Sequence, residues 1–145
     1  ANEKFPHGLA WLAEQIQAAG KTPGLWLAPF IVHPQAALVQ AHPDWLLRNE
    51  KGKPVSAGFL WGRFAYALDV THPDVQAWVL ALLKQLVQFG YRFLKLDYLY
   101  AAALPGKHQR PGSTRAKIAH EAYLKLRQAA GEDVFLLGCG VPLGP

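Results

Sequence analysis

"RFLKLDYLY", residues 92–100, decides how the rest of the chain is read. Apolar residues bracket Lys95 and Asp97, so a segment suited to the interior of a sheet carries a cation and a carboxylate at its centre. Side chains of a strand alternate between its two faces. Phe93, Lys95, Asp97 and Leu99 then share one face, and Leu94, Leu96, Tyr98 and Tyr100 share the other. The second face is apolar enough to pack against helices, which turns the first toward the inside of the sheet. An ammonium beside a carboxylate favours the ionised form, and that is the state a carboxylate nucleophile needs. Asp97 also falls near the carboxyl end of its strand, where parallel α/β folds build their sites. A structural ion pair that fills the interior satisfies the same pattern, and from this strand alone the two readings stand level.

Working outward, apolar runs at 25–32, 65–70, 93–99 and 134–139 read as strands. Helical patterns precede or separate them. Leu9, Leu12, Ala13 and Ile16 recur at helical spacing up to Gly20, and Val75, Trp78, Val79, Leu82, Leu83, Leu86 and Val87 do so up to Gly90. The second of these has an explicit start: Thr71 to cap, Pro73 for the first turn, and Asp74 at the positive end of the helix dipole. Ile118, Ala122, Tyr123 and Leu126 mark a third helix that ends before Gly131. Helices alternating with strands predict a parallel sheet with helices outside it. The stretches 48–63 and 101–111 are rich in glycine and proline, and each reads as a long loop or an irregular hairpin.

The 145 residues suffice for one domain with a core, and 51% of them are hydrophobic, which excludes a disordered chain. No apolar run approaches the ~20 residues of a membrane helix, no signal peptide is read ahead of the first helix, and the single Cys139 forms no internal disulfide. The expectation is a cytoplasmic protein with no membrane partner. A net charge of +5 raises the question of nucleic acid, but the basic residues are scattered apart from Lys107, His108, Arg110 and Arg115. Without a recognisable module on one basic face, a solvated basic surface is the preferred reading. The histidines form no metal set: His33, His42 and His72 each precede a proline, and "HEAYL" at 120–124 lacks the second histidine of a zinc-protease motif. No cofactor is expected.

Four segments together go further than any motif alone. "GLWLAPFIVHPQAALVQAHPDWLL", "ALDVTHPDV", "YRFLKLDYLYAAALPG" and "FLLGCGVPLGP" resemble, in that order, segments of the melibiase-type α-galactosidases of glycoside hydrolase family 36. The likeness runs over nearly the whole chain, and its most specific element is the Lys-x-Asp strand between Gly-Leu-Trp upstream and Gly-Cys-Gly downstream. The resemblance implies a retaining hydrolase of terminal α-galactosides with Asp97 as nucleophile. It implies substrate-binding roles for Lys95, which contacts the sugar, for Trp26, which lines the galactose pocket, and for Cys139, which lies beside the bound sugar. Each has a plain competitor: Trp26 as ordinary core, Cys139 as a buried small hydrophobe. Asp69, which ends "ALD" before Thr71, either touches the site or caps the helix that follows, the structural role being preferred, and Trp61 and Tyr98 are candidates for the edge of a sugar site.

The family pattern also implies groups that are absent. A retaining glycosidase needs a second carboxyl roughly 5 Å from the first; in this family it lies beyond the Gly-Cys-Gly strand, and a pair of aspartates that grips galactose hydroxyls would lie before Ala1. Asp74 and Glu121 fall on helical patterns and make poor substitutes. A (β/α)8 barrel takes about 250 residues and eight strands. The fold expected is therefore α/β, a partial TIM (β/α)8 barrel of about four parallel strands with outer helices, residues 1–145 being a fragment of a glycosidase catalytic domain. Such a fragment is expected to be inactive alone and to self-associate or be completed by the rest of the barrel. A non-catalytic half-barrel, a weak carbohydrate-binding module and a ligand-free scaffold are the alternatives.

Overall fold

The structure is a computed structural model that describes residues 3–60 and 62–141. In chain order its elements are α1 (Gly8–Ala18), β1 (Gly24–Leu27), β2 (Ile31–Val32), α2 (Ala37–Ala41), β3 (Ser56–Leu60), β4 (Arg63–Ala67), α3 (Pro73–Gln88), β5 (Phe93–Leu96), α4 (Arg115–Ala130) and β6 (Phe135–Gly138). Single 3-10 turns occupy Pro43–Trp45 and Leu99–Ala103.

β1, β5 and β6 form a parallel sheet in that spatial order, with Trp26 opposite Lys95 and Lys95 opposite Leu137. α3 lies in the crossover from β1 to β5, and α4 in the crossover from β5 to β6. This is the β-α-β arrangement that the alternating sequence pattern requires. Among the described residues the parallel strands number three, not the four expected, because the run at 65–70 belongs elsewhere. Its first residues complete β4, which pairs antiparallel with β2 and β3 in a second sheet. Two local features cause this. Pro29 has no N–H for a ladder, so the run at 25–32 breaks into β1 and, after a turn at Pro29 and Phe30, β2. Gly62, at φ 83°, supplies the left-handed backbone of a tight connection, so residues 56–67 fold back as the hairpin β3–β4.

The core lies between the outer face of the parallel sheet and the helices. Leu94 and Leu96 of β5, at 0% and 2% exposure, join Val75, Val79 and Leu83 of α3 and Ile118, Ala119 and Leu126 of α4 in one cluster. At roughly 1.5–3 kcal/mol per buried branched side chain, β5 alone contributes several kcal/mol through these two leucines. Tyr91 fastens α1 by donating its hydroxyl to the Leu9 carbonyl at 3.1 Å. No helix among the described residues is long and apolar enough to cross a membrane.

The start of α3 departs in detail from expectation. His72, not Thr71, is the cap: its Nδ1 accepts the N–H of Asp74 at 3.1 Å. Thr71 is committed to Asp69, donating its hydroxyl to Oδ1 at 2.7 Å and its N–H to the same oxygen at 2.9 Å. Asp69 is a buried hub, as its expected structural role requires. Its Oδ1 also meets His108 Nδ1 at 3.0 Å, and its Oδ2 accepts the N–H of Gln109 at 2.7 Å. The loop after β5 is thereby fastened to the start of α3. The basic residues of that loop are similarly engaged: Lys107 pairs with Glu50 at 3.2 Å and Arg110 with Glu121.

Burial alone would push the Asp69 carboxyl up, but the Gln109 N–H, the Thr71 hydroxyl and N–H, and His108 together hold it below the ordinary carboxylate value. A group depressed in the folded state contributes stability that is whole above its unfolded value, about 3.9 for Asp, and is lost as pH falls through the folded value. Asp69→Asn should lower stability at pH 7 by about 2–3 kcal/mol. Urea titrations of the two proteins should converge as pH falls below the ordinary carboxylate range and through the lowered value of Asp69; a separation unchanged with pH would show that the charge of Asp69 is irrelevant.

Candidate active site

The carboxyl end of the parallel sheet gathers the residues singled out from sequence. β5 ends at Leu96, so Asp97 is the first residue past the strand. Its N–H still donates to the Leu27 carbonyl of β1 at 2.9 Å, which holds it on the strand's line. Tyr98 then takes φ 54° and ψ 34°, the one left-handed residue other than glycine among those described. That conformation costs an L-residue roughly 1–2 kcal/mol. It ends the alternation expected for Tyr98 and Tyr100, and it places the Tyr98 N–H 2.8 Å from Asp97 Oδ1. Strain of this kind persists where surrounding contacts determine it. Here Tyr123 donates its hydroxyl to the Leu99 carbonyl at 2.9 Å, and the Tyr100 hydroxyl is donated to the Ala57 carbonyl of β3.

The other carboxylate oxygen faces the neighbouring strand. Trp26 Nε1 donates to Asp97 Oδ2 at 3.0 Å, and Lys95 Nζ lies 4.0 Å from the same oxygen. At that distance the ammonium is a Coulombic neighbour and not a hydrogen-bond donor. Its three N–H groups have no acceptor among the described residues, so they are available to a ligand. Asp97 is thus oriented by two N–H groups, one on each oxygen, and stands beside a cation. Its charge reaches outward too: burial, then the neighbouring Tyr98 and Asp97, push the Tyr100 phenol up.

Cys139 arrives at the same end by register. Gly138 pairs with Leu96, so Cys139 follows β6 as Asp97 follows β5. Its N–H donates to the Leu96 carbonyl at 2.8 Å, and its carbonyl accepts the Leu99 N–H at 3.2 Å. Gly140 next to it takes φ 60°, and a Cβ added there would meet the Tyr100 ring at 3.1 Å and Tyr98 Cα at 3.6 Å. Trp26, Lys95, Asp97 and Cys139 therefore share one end of three adjacent strands. Trp61 lies outside the described residues. Tyr98 borders Asp97 through its backbone, with its ring edge-on to Tyr100 at 6.2 Å between centroids.

Two features were not read from sequence. A cleft of about 320 Å³ opens between Trp26 and the hairpin, with Leu60 and Ala65 on the far wall and His33 at its side. Arg63 pairs with Leu60 across the hairpin and lies two residues from Ala65, so it falls on the same side of the hairpin beyond the residues that line the cleft. Neither His33 nor Arg63 carried a sequence signal, because the cleft exists only once residues 56–67 fold back as a hairpin. Phe59 and Phe64 form the opposite face and are 63% and 60% exposed.

Comparison with known proteins bears on the family and the fold. A family model described as Melibiase matches residues 1–131. The structure of TtGalA, an α-galactosidase from Thermus thermophilus in complex with stachyose, superposes with a TM-score of 0.87 at 46% identity, covering 98% of this chain and 30% of that one. An α-galactosidase structure from Lactobacillus brevis gives 0.71 at 25% identity over 96% of this chain and 19% of the other. The sequence of α-galactosidase AgaA from Geobacillus stearothermophilus is 31% identical over 119 residues, 77% of this chain and 16% of that protein. The chain thus spans less than a third of the relatives it matches.

The left-handed turn after Asp97 is directly testable. β-Branched residues tolerate that conformation worst and asparagine tolerates it best among non-glycine residues. Tyr98→Val should be about 1–2 kcal/mol less stable than Tyr98→Asn in thermal or urea unfolding. Equal stabilities would mean that the turn relaxes and that its strain is not imposed by the fold.

Proposed function

The chain belongs to the melibiase family, and from that premise we propose that it forms part of a retaining glycoside hydrolase acting on terminal α-galactosides, with Asp97 as its nucleophile. The observation that carries this is the setting of Asp97: a carboxylate at the carboxyl end of the central parallel strand, held by one N–H on each oxygen, with Lys95 alongside. In the reaction, Asp97 attacks the anomeric carbon as the glycosidic bond breaks, and a glycosyl ester forms. A second carboxyl protonates the departing oxygen, then takes a proton from the water that hydrolyses the ester. Lys95 donates to sugar hydroxyls, Trp26 walls the sugar, and Cys139 borders it. Aligning Asp97 in advance removes the need to reorganise it during attack.

The second carboxyl is assigned to a part of the barrel outside this chain. Asp69 is consumed by the loop it fastens, Asp74 starts α3, and Glu121 pairs with Arg110 on α4. Residues 1–145 are accordingly three strands of a (β/α)8 catalytic domain, an arrangement supported by their parallel order and by the helix in each crossover. The free thiol of Cys139 is consistent with a cytoplasmic site of action. In the complete barrel, Asp97→Ala should lower turnover of an aryl α-galactoside by several orders of magnitude, with partial rescue by azide. The 145-residue chain by itself should release no aglycone. Near-normal turnover by the variant would remove Asp97 from the mechanism.

The inner face of the sheet supports an account of partners. Trp26, Phe93, Phe135 and Leu137 are 37–59% exposed there, and Phe93 stacks on Phe135 with centroids 5.1 Å apart. β1 and β6 also end the sheet with unpaired edges. Burying a few hundred Å² of such surface is worth several kcal/mol at about 25 cal/mol per Å². The rest of the barrel meets that need in the whole enzyme, and a second copy meets it in the isolated chain. Light scattering of the isolated chain over a dilution series should show mass rising with concentration; a constant 16 kDa species would defeat the idea.

A further inference from the structure

We propose that His33 is a specificity-determining residue of the glycoside site, presenting one N–H donor to a substrate hydroxyl in the cleft that Trp26 walls. The proposal rests on the glycosidase reading above and names a group that this reading leaves unused. Apart from Trp26, the other side chains that line the cleft are Leu27, Ala28, Ile31, Leu60 and Ala65, all apolar. Its volume of about 320 Å³ falls in the range of small-ligand sites. Such sites combine apolar walls with a few placed polar groups that set orientation.

The ring of His33 is prepared for that use. The N–H of Gln35 donates to His33 Nδ1 at 3.2 Å, which requires a lone pair on Nδ1. The neutral imidazole then carries its proton on Nε2. The His33 carbonyl is held as well, accepting the N–H of Ala36 at 2.9 Å. Backbone and ring are therefore both anchored by the turn that leads to α2, and Nε2–H is the ring's remaining polar atom. No acceptor takes it among the described residues. Trp26 cannot serve the same purpose, because its Nε1–H is spent on Asp97 Oδ2 at 3.0 Å. The indole supplies a wall and His33 supplies direction. A hydroxyl satisfies the donor, whereas a ring carbon bearing only hydrogen leaves it without an acceptor in an apolar cleft. That loss discriminates between substrates far more strongly than a change in apolar contact does.

The test is kinetic and uses the complete enzyme with an aryl α-galactoside and its monodeoxy analogues. His33→Phe keeps a planar ring and removes both nitrogens; His33→Gln restores an N–H donor. His33→Phe should lower kcat/KM for the parent glycoside about ten- to a hundredfold, and His33→Gln should recover much of it. For one deoxy analogue, the one that lacks the bonded hydroxyl, native enzyme and His33→Phe should be equal. An unchanged kcat/KM in His33→Phe, or the same loss on every analogue, would overturn the proposal. Should His33→Phe fail to fold, the analogue series on native enzyme and His33→Gln decides: a flat series overturns it equally. Asp97→Ala runs in parallel. Turnover surviving in Asp97→Ala removes the glycosidase reading itself, whereas an inactive Asp97→Ala beside an unaffected His33→Phe removes only the role of His33.

Discussion

Burial of Leu94 and Leu96 against α3 and α4 is the constraint on which the rest depends. With a period of two, sinking those leucines into the core turns Phe93 and Lys95 to the opposite face of the sheet. A slip of one residue would put Lys95 into the core without a partner, at a cost far above what the leucines contribute. The register of β5 is therefore strongly specified, and β1 and β6 inherit it through their ladders. Trp26 comes level with Lys95 and Cys139 level with Asp97 as a consequence. The site is in this sense a by-product of how the core is packed.

What happens past the strand is decided by a different balance. The chain must leave β5, keep Asp97 in line and turn at once, and it does so through a left-handed Tyr98 where glycine would be less costly. The turn is held from two sides, by α4 through Tyr123 and by the hairpin through Tyr100. Both contacts end on backbone carbonyls, Leu99 just past the turn and Ala57 on β3, so they fix main chain rather than merely fill space. Asp69 adds a third restraint by tying the loop beyond Leu104 to the start of α3. The strained residue and its supports are the usual pattern of a functional site, where local preference yields to the geometry that chemistry needs.

The antiparallel sheet gives the arrangement its second wall. A βαβ crossover needs only a helix, and here it also carries β2, β3 and β4, which stand over the end of β1. The added hairpin turns an open sheet edge into one side of a cleft. Its cleft-facing side bears Leu60, Arg63 and Ala65, and its other side bears the exposed Phe59 and Phe64.

Sequence alone determined what depends on short-range order. α1, α3 and α4 were legible because 3.6-residue periodicity and terminal glycines are local, whereas the short α2 was not. The inward facing of Phe93 and Lys95 was legible because alternation is local as well, but Leu99, expected on that face, is buried in the core past the strand's end. The family likeness then supplied the proposed roles of Asp97, Lys95, Trp26 and Cys139, which spacing by itself left open. Tertiary structure decided everything that rests on which strand meets which. The run at 65–70 looks like any buried strand, and only pairing with β2 and β3 assigns it to an antiparallel sheet. Thr71 is a better cap than His72 by propensity, yet its hydroxyl is claimed by Asp69. The bond from Trp26 to Asp97 joins residues 71 apart, and the cleft beside His33 needs a hairpin that closes more than twenty residues later. Hydrogen bonds and cavities of that reach are properties of chain closure, and no local pattern encodes them.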